Sequence, residues 1–128
     1  MNLPYSFISQ DVKTLYNDNL EILNESPLVF TLRTTEDIKL APSSFVSIDS
    51  GVIFNIDEKI CLELFSLDSL IALKSVVIPS IVYSSTIKSV KIALFNHSHK
   101  SLMLKKGSLI AKILVISENN VPVKLLQK

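Results

Sequence analysis

The chain has few of the residues that usually mark a catalytic or anion-binding protein. Of its 128 residues only two are glycine, one is cysteine, one is arginine and none is tryptophan. A single Cys61 excludes an intrachain disulfide, and its apolar neighbours predict a small core residue rather than a reactive thiol. Because polyanion sites usually recruit arginine forks, the lone Arg33 argues against a nucleotide site. No apolar run approaches the ~18–20 residues that span a bilayer.

The net charge and the mean hydropathy limit the kinds of partner that the chain can bind. The net charge of +1 lacks the basic excess that nucleic-acid binding requires. The hydrophobic fraction of 48% and mean hydropathy of +0.40 are high for one soluble domain. We expect the surplus to be buried at an interface between copies of the chain. The N-terminus shows no basic region followed by an apolar one, so we expect no secretory signal and no secretion.

The pattern along the chain predicts an all-β domain with short extensions. Residues 1–27 are predicted to form an N-terminal arm, in which residues 9–23 could be either a short helix or extended. Residues 28–117 contain many short strand patterns separated by turn signals, which is typical of a sandwich, barrel or jelly roll. Residues 60–67 are predicted to be one strand with both faces covered, and residues 75–82 another that Pro79 confines to a sheet edge or a bend. Residues 118–128 form a tail that could supply a strand exchanged between subunits.

Two motifs carry a family resemblance. A strand ends in Leu94-Phe95-Asn96-His97, and a Lys105-Lys106-Gly107 turn then leads into Ser108-Leu109-Ile110-Ala111. This arrangement resembles the late half of a dUTPase, and the resemblance extends over residues 28–117. It implies a homotrimer of β jelly rolls whose active sites lie between subunits and are assembled from five motifs.

The positions that carry chemistry in this family are replaced here. The aspartate position of the first motif is Thr31, and the phosphate-binding arginine position of the second is Asp68, a charge reversal that would repel a triphosphate. In the third motif Tyr83 stands at the general-base position and Thr86 at the deoxyribose-stacking tyrosine position. A phenol cannot replace a carboxylate base at neutral pH. In the fourth motif Ser108 begins the replacement of an Asp-Arg pair.

The retained positions are turn formers and small or apolar residues. Ser69 and Ala72 remain in the second motif, and Gly107 remains in the fourth. The glycine position of the second motif is Leu70, whose side chain would fill space that the family leaves open for phosphate. The glycine-rich fifth motif has no counterpart. The resemblance therefore implies the family's fold without its catalysis, and without a bound nucleotide or cofactor.

One branch of the family is more similar. The adenoviral early-region-four protein derived from dUTPase shares a tyrosine-x-phenylalanine-isoleucine stretch, here Tyr5-Ser6-Phe7-Ile8, and the Phe95-Asn96-His97 run. That branch ends in a PDZ-binding tail, whereas this chain ends Leu126-Gln127-Lys128. The resemblance therefore implies a viral protein but does not extend to that class of partner.

The remaining polar clusters have simpler explanations. His97 and His99 could form a metal pair, but no cysteine or acidic residue near them in the sequence completes a site, so we expect surface histidines and no metal. Asp57-Glu58 and Lys105-Lys106 are expected to be solvated turns, with anion contact a minor alternative for the lysines.

These observations predict a non-enzymatic trimeric module. One hypothesis is a structural protein that cements a viral capsid, and the alternative is an adaptor that binds host signalling proteins. An active dUTP pyrophosphatase is the remote alternative. The expected partners are further copies of the chain and capsid or host proteins, not nucleic acid, membrane or nucleotide. The expected location is the virion, or the cytoplasm or nucleus of the host cell.

Overall fold

The computed structural model describes residues 1–85 and 88–128, and strands dominate them. Its strands are β1 (Asn2–Phe7), β2 (Ile22–Glu25), β3 (Leu28–Arg33), β4 (Ile38–Leu40), β5 (Phe45–Asp49), β6 (Val52–Phe54), β7 (Ile60–Phe65), β8 (Ser75–Val77), β9 (Ser80–Val82), β10 (Lys91–Asn96), β11 (Leu102–Leu104), β12 (Leu109–Ser117) and β13 (Lys124–Gln127). Its helices are α1 (Gln10–Leu15), α2 (Asp68–Ala72) and a 3₁₀ turn at Glu118–Asn120. Within the described residues, no helix is long and apolar enough to cross a membrane.

The strands form four small sheets. The largest has the order β2-β3-β12-β7-β9, and two three-stranded sheets have the orders β13-β1-β6 and β5-β10-β8. Strands β11 and β4 form a two-stranded sheet. All pairs are antiparallel except β1 with β13. The arrangement confirms the predicted dUTPase-like, jelly-roll-like β fold, whereas the predicted barrel is not closed among the described residues.

One hydrophobic core joins the buried faces of the sheets. On the five-stranded sheet Phe30, Leu64 and Ile113 lie in one row across β3, β12 and β7, and each is at most 2% exposed. Side chains alternate between the two faces of a strand, so their sequence neighbours point to the opposite face. We call that opposite side the outer face; its residues on β3, β7, β9 and β12 are Val29, Thr31, Cys61, Glu63, Phe65, Ile81, Lys112, Leu114 and Ile116.

Two of the strand predictions need correction. The apolar run 75–82 has the bend that was one of the two alternatives at Pro79, but it is two strands and not one, because β8 belongs to one sheet and β9 to another. Proline has no N–H to donate to a ladder, which favours a break at this point. The run 60–67 was expected to be covered on both faces, but β7 ends at Phe65 and its outer face stays partly open in the single chain.

The terminal segments pack onto the domain. The predicted arm supplies β1, α1 and β2, and the segment with two open alternatives contains the helix α1, capped by the Ser9 hydroxyl, which accepts from the Val12 N–H at 3.2 Å. The tail supplies β13, which pairs with β1 of the same chain. The domain boundaries and the exchange of the tail between subunits stay predictions.

Candidate functional site

Thr31, at the first motif position, is a buried residue of β3. It lies on the outer face opposite Lys112 of β12 and is 1% exposed. Its Oγ1 has no hydrogen-bond partner among the described residues. A threonine hydroxyl buried in this way has neither the charge nor the access of a catalytic carboxylate.

Asp68 and Ser69, at the second motif positions, open the helix α2. Both are exposed, and the next residue, Leu70, is 3% exposed within the core. Sequence alone did not predict this five-residue helix. The Leu70 side chain packs into the core and anchors α2 there. Leu70 is the predicted counterpart of the family's second-motif glycine, so a packed side chain stands at this position. The exposed Asp68 carboxylate puts a negative charge at the position that the sequence comparison assigned to a phosphate-binding arginine.

The fourth-motif turn, Lys105 to Ser108, is fixed by three contacts from one side of the domain. The Gly107 N–H donates to the Thr34 carbonyl at 2.9 Å, and the Lys106 N–H donates to Asp37 Oδ1 at 2.8 Å. Arg33 Nη1 donates to the Gly107 carbonyl at 2.7 Å. Gly107 itself has a φ of +88°, a conformation that favours glycine. Its retention is explained by the turn alone.

Arg33 therefore has a structural role that the sequence did not reveal. Besides the Gly107 carbonyl, its guanidinium pairs with the Glu21 carboxylate, with Nη2 and Oε2 3.5 Å apart. Both terminal nitrogens are engaged with the protein. Local sequence does not indicate this role, because Arg33 comes to lie opposite Leu109, the start of β12, only through long-range strand pairing.

Tyr83, at the general-base position, follows β9 and is 70% exposed. It lines a shallow groove of about 320 Å³ with Glu58, Lys59, Cys61 and Glu118 among its neighbours. Cys61 is half-buried on the outer face rather than fully buried in the core. Thr86, the predicted counterpart of the stacking tyrosine, lies outside the described residues.

The chain places the motif positions at two ends of the five-stranded sheet. Thr31, Lys112 and Phe65 form one row across it, Ser108 lies at the same end, and Asp68 follows Phe65 by three residues. Tyr83 follows Val82, which pairs with Leu62, three residues before Phe65 on β7. Three residues of a strand span roughly 10 Å at ~3.3 Å per residue, and β9 is the edge strand beyond β7, three strands away from β3. One copy therefore does not bring Tyr83 to the other positions.

The other candidate clusters lie on the surface. His97 and His99 are both exposed beyond the end of β10, and His97 contacts the Phe95 ring at 5.9 Å between centroids. Asp57 Oδ1 accepts from the Lys59 N–H at 2.8 Å, which fixes a turn. Among the described residues, no group of three histidine, cysteine or acidic side chains could hold a metal.

Tyr16 has a contact network that the sequence did not indicate. Its Oη donates to the Ser50 carbonyl at 2.6 Å and accepts from the Arg33 N–H at 2.8 Å. Burial raises the pKa of this phenol well above its ordinary value. The network joins α1 to β3 and to the turn before β6, so it is a structural one.

Comparison with known proteins agrees with this geometry. The chain is similar in structure to the dUTPase of Staphylococcus bacteriophage 80alpha, with a TM-score of 0.78 and 14% identity over 91% of this chain and 90% of that one. For a point mutant of the dUTPase from phage phi11 of S. aureus, the TM-score is 0.77 and the sequence identity 12%, over 91% of this chain and 90% of that one. For the EIAV dUTPase, the TM-score is 0.73 and the identity 13%, over 91% of this chain and 88% of that one. A search of curated protein sequences found no match. The family model for dUTPase matches residues 25–128, and the chain therefore belongs to the dUTPase family.

Proposed function

We propose that this chain is a non-enzymatic member of the dUTPase family that works as a self-associating, protein-binding module of a virus. The observation that carries the proposal is the state of the motif positions. Thr31 is buried, Asp68 is an exposed anion where phosphate needs a cation, and Tyr83 offers an exposed phenol in place of a carboxylate. Polyanion binding favours arginine side chains, and the sequence has one arginine, Arg33. Its guanidinium is already engaged with the Gly107 carbonyl and the Glu21 carboxylate.

The same positions support self-association as a homotrimer. The resemblance implied active sites built between subunits, and here Tyr83 lies at the opposite end of the sheet from Thr31 and Ser108. If catalysis was lost while the positions of these residues in the fold stayed the same, the subunit contacts would remain. The residues at the former active site could then change without loss of a reaction. The apolar residues on the outer face supply the area that such contacts need.

A further exposed apolar row supports a protein partner. On the outer side of the β5-β10-β8 sheet, Phe45, Phe95 and Val76 are neighbours across three strands, and Phe45 is 71% exposed. Apolar residues that adjoin on a surface commonly mark a protein contact. We place the module in the virion, as a structural protein that cements a capsid, because a threefold trimer suits threefold lattice positions.

The second candidate is an adaptor in the cytoplasm or nucleus of the host cell. Phage dUTPases, including that of bacteriophage 80alpha, are described as controlling the transfer of virulence genes by a G protein-like mechanism. A relative with a regulatory role supports the same kind of role here. Proteomic analysis of purified virions separates the two candidates, since the structural protein is retained in virions and the adaptor is found only in infected-cell extracts.

Calorimetric titration tests the loss of the enzyme site. The purified chain is titrated with dUpNHpp and magnesium, and the dUTPase of bacteriophage 80alpha, whose structure with dUpNHpp is known, is the positive control. We expect no heat of binding for this chain. Micromolar binding would show that a nucleotide site remains, and release of pyrophosphate from dUTP would show an active dUTPase. Either result would contradict the proposal.

A further inference from the structure

A groove of about 460 Å³ lies between the C-terminal end of α2 and the turn that joins β10 to β11. Leu73 and Lys74 line one side of it, and His99, Lys100 and Leu102 line the other. The lining residues, all within the described part of the chain, include no aspartate or glutamate. We call this site the basic groove, because each of its two sides contributes a lysine.

Lys74 has a backbone conformation that does not suit a lysine. Its φ is +56°, in the left-handed region where a side chain crowds the backbone. It directly follows Leu73, the C-cap residue of α2, at a position where helices commonly place a glycine. The lysine side chain therefore has a cost to the fold, and strained positions of this kind point to a role outside folding.

Hydrogen bonds fix the backbone on both sides of the basic groove. The Lys74 carbonyl accepts from the His97 N–H at 2.8 Å, which joins the two sides. The Lys100 carbonyl accepts from Asn96 Nδ2 at 2.8 Å, and the Lys100 N–H donates to Ser98 Oγ at 3.2 Å. Because both lysines stand on a backbone that is already ordered, a ligand binds here without the cost of ordering a loop.

The positive charge of the groove is not balanced within the chain. Among residues 1–85 and 88–128, neither Lys74 nor Lys100 has a carboxylate oxygen within 4.0 Å. Asp68, the acidic residue nearest to Lys74 in the sequence, opens α2 at the end away from the groove. An acidic ligand therefore complements this site in charge.

We propose that the basic groove binds a short acidic segment of a partner protein, with carboxylates at Lys74 and Lys100 and an apolar side chain against Leu73. Leu73 is 55% exposed, and a simple anion would leave it uncovered. The net charge of +1 lacks the basic excess of a nucleic-acid surface, so the local charge suits a few carboxylates. This inference rests on the protein-binding role proposed above and adds the site and the chemistry of the partner.

Fluorescence polarisation with a synthetic peptide tests the basic groove. The probe is a short labelled peptide in which glutamates flank a central leucine, and a matched peptide carries glutamine in place of each glutamate. We expect the full chain to bind the acidic peptide and not the matched one, with an affinity that falls as salt is raised. Lys74→Glu and Lys100→Glu should each weaken binding about fivefold or more, because like charges then meet.

Replacing Lys74 by glycine separates binding from folding. Glycine adopts a φ of +56° without steric cost, so Lys74→Gly is expected to keep the Tm or raise it by a few degrees. The same variant should weaken peptide binding about fivefold, because the ammonium group is gone. Thermal unfolding followed by circular dichroism measures the Tm. A clear loss of stability would show that the Lys74 side chain serves the fold, and its assignment to binding would be wrong.

Lys91→Glu is the matched control for charge. Lys91 is exposed at the first residue of β10, and Asn96 ends the same strand next to the groove. Five residues of strand separate the two, roughly 16 Å at ~3.3 Å per residue. The control changes the net charge as the groove variants do, and it is expected to leave peptide binding within twofold of the natural chain.

Three outcomes would overturn the inference. The folded natural chain does not bind the acidic peptide, or Lys91→Glu weakens binding as much as the groove variants do, which shows unspecific attraction. If inorganic phosphate displaces the peptide at equal concentration, the site takes anions in general and the assignment to a protein partner is wrong. Titration with dUpNHpp and the mass of the natural chain test the proposed function separately, so each can fail without the other.

Discussion

At the scale of single residues, buried polar side chains organise the turns. Asn96 is fully buried at the end of β10, and its Nδ2 donates to the carbonyls of Leu40 at 3.1 Å and Lys100 at 2.8 Å. Its Oδ1 accepts from the Ser98 N–H at 3.0 Å. One side chain thereby joins β4, β10 and the hairpin that follows. Asn96 therefore has a structural role in this hairpin.

Replacing Asn96 by alanine should destabilise the domain by about 2–3 kcal/mol, because buried carbonyls lose their donors. The neighbouring His97→Ala and His99→Ala changes serve as matched controls, since both histidines are exposed in the same turn. Thermal unfolding should shift clearly for Asn96→Ala and by a degree or two for the double histidine variant. A histidine variant that unfolds, or that loses a bound metal ion, would contradict the assignment of these residues as surface side chains without a structural or metal-binding role.

Tyr16 makes the stability of the protein depend on pH in the alkaline range. Burial raises the phenol pKa in the folded state above the ordinary value of about 10. The stabilisation is fully present below that value. Above it the unfolded state loses the proton while the folded state keeps it, so the free energy of unfolding falls as the pH rises.

The change Tyr16→Phe should remove this pH dependence and cost about 1–3 kcal/mol at neutral pH, since the Arg33 N–H and the Ser50 carbonyl lose a buried partner. Urea unfolding at several pH values above 10 measures the difference between the natural chain and the variant. That difference should shrink by up to ~1.4 kcal/mol per pH unit. A constant difference across this range would show that Tyr16 ionises in the folded state.

At the scale of elements, β12 serves two purposes through its two faces. It lies at the centre of the five-stranded sheet and pairs with β3 on one side and β7 on the other. Ile110, Ile113 and Val115 point into the core, while Leu114 and Ile116 lie on the outer face. The sequence of β12 is a nearly continuous apolar run because both of its faces would be shielded from water, one by folding and the other by the proposed assembly.

An aspartate substitution on each face of β12 should distinguish the role of the strand in folding from its proposed role in assembly. Ile113→Asp buries an unpaired carboxylate at a position 1% exposed, and we expect insoluble or unfolded protein at a cost of several kcal/mol. Ile116→Asp, on the 39% exposed outer side, should fold and fail to assemble. Circular dichroism and sedimentation distinguish the two results. A soluble, assembled Ile113→Asp protein would contradict the placement of the core.

At the scale of the whole molecule, the surplus of apolar residues is the dominant feature. The chain is 48% hydrophobic, and large apolar side chains such as Phe45, Tyr83 and Met103 remain exposed in the single copy. A small domain has too little interior to bury all of them. The proposed assembly would remove from water apolar surface that folding alone leaves exposed.

Light scattering on the purified chain should give about three times 14.3 kDa. We expect the trimer to persist on dilution, because obligate interfaces of this kind bury thousands of Å². A stable monomer at micromolar protein concentration would remove the proposed assembly, while the membership of the dUTPase family would stand.

The sequence by itself determined the all-β class and the family. Strand alternation and the turns around Asn96 and Gly107 are local signals, because side-chain direction and backbone angles depend on a few neighbouring residues. The assignment of Thr31 and Asp68 to replaced motif positions also comes from the sequence, where a missing or reversed charge is visible without coordinates, and it stays a prediction.

Only the tertiary structure decided which residues share a face and which strands pair. The break at Pro79 sends β8 and β9 to different sheets, and the engagement of Arg33 with Gly107 joins positions 74 residues apart. The half-buried positions of Lys112 and Glu63 on the outer face likewise depend on the register of β12 against β7. Such relations arise from long-range pairing, where the geometry is set by the closing of the whole core and not by the residues on either side.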